Sequence, residues 1–99
     1  MSGIHFYRTG DKLYLANVDA HRQAVETLLS DPDISCIVLD LENIVRCDTH
    51  GVRLIVTLLR TAQSSGKRLL LYRPASTIRA MLNDIGIDQP ALFIDSLPE

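Results

Sequence analysis

Little in this chain marks it for a membrane, a nucleic acid or export. No apolar run approaches the roughly 18 residues needed to span a bilayer, so membrane insertion is not expected. The start, Met1-Ser2-Gly3-Ile4-His5, lacks a charged region followed by an apolar one. No secretion signal is therefore read, and the cytoplasm is the expected location. Basic charge is in slight deficit, with a net charge of −2. The densest basic stretch, Lys67-Arg68 with Arg73, is too sparse for the patch or stripe of a nucleic-acid binder, so no direct nucleic-acid contact is expected. There are two cysteines, Cys36 and Cys47, and they form no CxxC pair. In a reducing compartment both stay thiols, and Cys36, inside an apolar run, reads as a small buried hydrophobe. Glycine is scattered: Gly10 and Gly51 stand alone, which excludes a glycine-rich phosphate cradle. His5 and His21 lie far apart with no ligand spacing, so neither a metal nor another cofactor is expected. Repeats, low-complexity tracts and linkers are also missing.

What is present fits a single domain over residues 1–99, with 46% hydrophobic and 22% charged residues. Ile4 to Arg8, the turn-rich Thr9-Gly10-Asp11, and Lys12 to Ala16 read as a β-hairpin. Asp19 is a plausible N-cap for a helix whose stripe is Ala24, Val25, Leu28 and Leu29, stopped by Pro32. Ile34 to Leu41 contains Cys36-Ile37-Val38-Leu39, an apolar run that suggests a strand covered on both faces. A second helix begins near Thr49, carries Val52, Ile55, Leu59 and Ala62 on one stripe, and stops around Ser64-Ser65-Gly66. Arg68 to Tyr72 is a strand. Ile78, Met81, Leu82 and Ile85 mark a third helix closed by Gly86, and Leu92 to Ile94 is a short last strand. The order β-β-α-β-α-β-α-β predicts an α/β fold. Its mixed sheet of four to five strands opens with an antiparallel hairpin, and about three helices lie mainly on one face.

The most informative stretch is Cys47-Asp48-Thr49-His50-Gly51-Val52, a short polar turn between a buried strand and a long helix. Asp and Thr here are standard helix caps. They also form a place where phosphate can be added and read, since the orphan N–H groups and dipole of a helix start favour an anion by about 0.3–1 kcal/mol. The two readings are compatible. Cys47, Asp48 and His50 crowd into one turn and do not make a catalytic triad, which is assembled by geometry across a fold.

Three runs, in this order and spacing, resemble the STAS family, the sulfate transporter and anti-sigma factor antagonist domains. They are Leu15-Ala16-Asn17-Val18-Asp19, then Ile37 to Ile44 followed by Cys47 to Val52, then Gly66 to Leu71. The resemblance covers nearly the whole chain and implies a domain that catalyses nothing. In anti-sigma factor antagonists of this family the hydroxyl residue after the Asp is phosphorylated by a Ser/Thr kinase that often doubles as the anti-sigma factor, and a cognate phosphatase resets it. The matching acceptor is Thr49. The resemblance implies a partner-binding surface of Asn17, Asp19, Asp48, His50, Gly51, Val52 and Arg53, and a role in signal transduction and transcription regulation by partner switching. It implies an alternative as well, a STAS subunit of a phospholipid-transport ABC complex that binds the transporter ATPase. A homodimer through the first strand's edge is compatible with either. This chain departs from the family pattern at His50, where a small residue is expected, and at Ala16, where Gly is expected.

Overall fold

The computed structural model describes residues 3–97, so Met1 and Ser2 of the amino-terminal reading lie outside it. The chain forms β1 (Ile4–Arg8), β2 (Lys12–Leu13), α1 (Val18–Leu29), β3 (Cys36–Asp40), β4 (Arg46–Cys47), α2 (Thr49–Ser64), β5 (Arg68–Tyr72), α3 (Ser76–Asp84), a 3-10 turn (Pro90–Leu92) and β6 (Phe93–Ile94). The main sheet has the order β1-β3-β5-β6 and every neighbouring pair is parallel. A second, two-stranded sheet pairs β2 with β4, also in parallel.

The expected antiparallel hairpin is therefore absent among the described residues, and the sheet is parallel rather than mixed. Two interactions, one long-range and one local, explain the difference. The carbonyl of Asp11 accepts hydrogen bonds from the amides of Val45 and Arg46, which draws the following residues toward β4 and away from β1. Asn17 then cuts the second strand short. Its side-chain oxygen accepts from the Tyr14 amide at 3.0 Å, and its side-chain nitrogen donates to the Lys12 carbonyl at 2.8 Å. Leu13 and Leu15 therefore do not share a strand: Leu13 is wholly buried in β2, whereas Leu15, beyond it, is 63% exposed. β4 is a strand that the sequence pattern did not reveal, and Asn17 rather than Asp19 is the N-cap of α1.

The core lies between the sheet and the helices. Ile37 and Leu39 of β3, with Leu69 and Leu71 of β5, pack against Val25 and Leu29 of α1, Ile55 and Leu58 of α2, and Ile78 and Leu82 of α3. Each such side chain contributes about 1.5–3 kcal/mol by leaving water. The sheet's other face carries a smaller cluster, Cys36, Val38 and Leu70, flanked by Ile4, Tyr72 and Ile94 and by no helix residue among those described. The apolar run in β3 is thus buried on both sides, as expected, but neighbouring strands shield the second side. α3 ends at Asp84, and the amide of Ile87 returns to the Leu82 carbonyl past Gly86 at φ +89°. Ile85, expected on the stripe of the third helix, falls at its C-cap and is 56% exposed.

Candidate functional site

Two connections meet at one end of the fold: Tyr14 to Asn17 before α1, and the Cys47-Asp48 approach to α2. Asp48 ties them together. It is the N-cap of α2, and its Oδ1 accepts from the Gly51 amide at 3.0 Å. Its Oδ2 accepts from the Leu15 amide at 3.1 Å. One carboxylate therefore satisfies an orphan helix donor and a donor of the neighbouring loop at once. Partial desolvation pushes its carboxyl upward, but the hydrogen bonds from Gly51 and Leu15 and the nearby His50 outweigh it and hold the carboxyl below the usual carboxylate range. A lowered folded-state pKa stabilises the fold above the unfolded-state value of about 3.9 and ceases to do so as pH falls through the folded-state value. Urea midpoints of wild type and Asp48→Asn will accordingly differ most near neutral pH and converge as pH falls through the folded-state value. Asparagine still caps, but its NH2 end cannot accept from Leu15. An undiminished gap in acid would contradict the role assigned to the charge.

Gly51 explains why the two loops lie so close. A Cβ placed there would sit 2.2 Å from the Leu13 carbonyl oxygen and 2.8 Å from Cys47 Sγ. Its φ is not left-handed, so the requirement is for space rather than for backbone freedom. Around this junction Thr49, the first residue of α2, is exposed. His50 is also exposed, with Nδ1 3.7 Å from Asp48 Oδ2. Val52 is only 5% exposed, whereas Arg53 points into solvent. Asp19 lies in the first turn of α1, 3.4 Å from Arg22.

The structure thus places Thr49, His50 and Arg53 on an accessible surface. Asn17, Asp48 and Gly51 act chiefly on the two loops themselves. Sequence reasoning missed Leu15, exposed beside Asp48, and the continuation of the Thr49 stripe down α2. Thr49, Arg53, Val56 and Arg60 all line one surface groove of about 580 Å³ between α2 and α3. Their spacing of four, three and four residues is a helical stripe and was the available signal.

Burial, and then the Asp48 charge, raise the Cys47 thiol above its ordinary value, so it stays protonated and is a poor nucleophile. Among the described residues no group of three His, Cys, Asp or Glu side chains is arranged to hold a metal ion. No helix among them is long and apolar enough to cross a membrane.

A sequence profile described as "Mlab, STAS domain" matches residues 10–97. No curated protein matches in sequence. Solved structures share the fold at low identity. A candidate anti-sigma factor antagonist from Thermotoga maritima superposes with a TM-score of 0.84 at 19% identity, covering 98% of this chain and 83% of that one. The Bacillus cell-fate determinant SpoIIAA in its phosphorylated form gives 0.76 at 21% identity, covering 93% and 81%. The STAS domain of a SulP transporter from Vibrio cholerae gives 0.71 at 13% identity, covering 92% and 72%.

Proposed function

The chain belongs to the STAS domain family, and from that premise we propose that it is a cytoplasmic, non-enzymatic partner-switching protein of the anti-sigma factor antagonist type, controlled by a phosphate on Thr49. The observation that carries this reading is the placement of Thr49: exposed, first in α2, directly after the capping Asp48, on a surface shared by both loops. The likeness to SpoIIAA, a protein with a phosphorylated form, supports it. A phosphoryl group there lies at the positive end of the helix dipole, so the modified chain stays folded. It also adds about −1.5 to −2 charge beside Asp48, at the centre of the surface a partner would cover. In this reading the partners are an anti-sigma factor that is itself a Ser/Thr kinase, and a phosphatase that restores the free hydroxyl. His50 and Arg53 form the contact surface with Thr49, and the buried Val52 packs beneath them. Asp48 and Gly51 hold its shape, and Asn17 and Asp19 extend it across the α1 loop.

A kinase that copurifies from native cells, incubated with ATP, will add a single phosphate detectable by intact-mass analysis, and Thr49→Ala will abolish it. Modification at another residue, or none with that kinase, would sink the reading. A second reading is favoured by the family description matched and by threonine rather than serine at position 49. In it the chain is the STAS subunit of a phospholipid-transport ABC complex, bound constitutively to the transporter ATPase. Copurification of that ATPase, with Thr49 unmodified, would select it.

A further inference from the structure

The groove between α2 and α3 separates from its surroundings by charge. Most of the arginines are already engaged: Arg8 with Asp40, Arg22 with Asp19 and Glu26, and Arg73 with Glu42. Arg46 lies over the Tyr14 ring and Arg79 over the Phe93 ring. Arg53 and Arg60, both exposed, have no acidic group within ion-pair distance among the described residues, although Asp84 lines the same groove. Between these guanidinium groups the floor is apolar, made by Val56, Met81 and the exposed Ile85. Arg53 and Arg60 are two helical turns apart, about 10 Å along the axis.

We propose that this groove seats an amphipathic helix of the protein partner, one that lays apolar side chains on Val56, Met81 and Ile85 and sets two carboxylates, seven residues apart, against Arg53 and Arg60. A helix fits because the groove runs between two helices, and a partner stripe with the same two-turn spacing matches both cations. Paired arginine–carboxylate contacts at the rim supply orientation and partner choice, while the apolar floor supplies contact area. The inference rests on reading the Thr49 face as protein-binding, but it requires no phosphate. Arg60 lies about 16 Å down α2 from Thr49, which makes it an anchor apart from the switch.

The test uses the full chain and synthetic helical peptides with one leucine stripe and two glutamates seven residues apart. Control peptides carry glutamine or lysine at those two positions. The glutamate peptide should shift NMR signals of the Met81 methyl and of the Arg53 and Arg60 side chains. It should bind at least tenfold more tightly than the glutamine peptide. Arg60→Glu should remove that preference, and the double variant Arg53→Glu/Arg60→Glu should bind the lysine peptide instead. Equal binding of the three peptides, or shifts confined to another face, would overturn the proposal. So would a concentration-dependent dimer, seen by sedimentation without peptide, whose interface maps to this groove. No kinase enters the measurement, so a chain that is never phosphorylated can still pass it, and a phosphorylated one can still fail.

Discussion

Replacing Gly51 by alanine will destabilise the protein, by about 1–3 kcal/mol or more, although alanine is the better helix former. Intrinsic propensity alone favours the substitution by roughly 0.5–1 kcal/mol at a helix interior. Space decides against it. The new Cβ would stand 2.2 Å from the Leu13 carbonyl oxygen and 3.0 Å from the Leu13 carbonyl carbon, and backbone cannot swing aside as a side chain can. Overpacking of this kind typically costs about 1–3 kcal/mol, occasionally more. For a domain of this size each kcal/mol corresponds to roughly 4–8 °C in melting temperature. A urea titration should show a lower midpoint with an unchanged slope, since the native fold is retained but strained. Relief of the clash also has a specific consequence: α2 and β2 must part, and the hydrogen bond from the Leu15 amide to Asp48 lengthens. Faster hydrogen exchange at Leu15 would show it. An alanine variant as stable as the wild type would mean that the close approach of Leu13 and α2 is not what requires glycine.

Phosphorylated at Thr49, the protein will bind its protein partner about a thousandfold more weakly than the unmodified form. Two like unit charges about 4 Å apart repel by about 4 kcal/mol at an effective dielectric near 20, and each 1.4 kcal/mol is tenfold in affinity. The sign follows from placement: Thr49 is exposed and directly follows the capping Asp48, so a covering interface would have to desolvate both charges. Calorimetry on the two forms measures the ratio, and ionic strength gives a second handle. The screening length falls from about 10 Å at 0.1 M salt to about 3 Å at 1 M, so an electrostatic switch loses part of its ratio in high salt while a purely steric block keeps it. Equal affinities of the two forms would end the partner-switching reading.

Much of the helical layer was legible because it is periodic. The stripe through Val52, Ile55 and Ala62 placed α2, and Ser64 is its last residue, as the Ser64-Ser65-Gly66 stop suggested. The Asp48-Thr49 turn was legible as a cap for the same local reason, and Asp48 does cap. The start of the chain was not. Two short apolar runs around Thr9-Gly10-Asp11 carry the same signature whether they pair with each other or with distant strands. The deciding contacts, Asp11 with Val45 and Arg46, join residues far apart in sequence. The second role of Asp48, holding Leu15, is hidden for the same reason. Ile85 kept helical phase with Leu82 yet stays exposed, because α3 stops at Asp84 just before it and Ile87 takes the capping contact.

The all-parallel sheet carries a kinetic consequence. Ile4 registers with Cys36 and Cys36 with Arg68, so the central pairings join residues about thirty positions apart. Without a hairpin to nucleate locally, no piece of the main sheet can form before a long segment has closed on itself. Loop closure must precede the contacts that reward it, which slows folding relative to helical bundles of equal length. Helices α1 and α2 pack on each other and can form early, but the sheet face they cover is complete only once β3 has found both neighbours. The strand Cys36–Asp40 is therefore the step on which the assembly of this molecule waits.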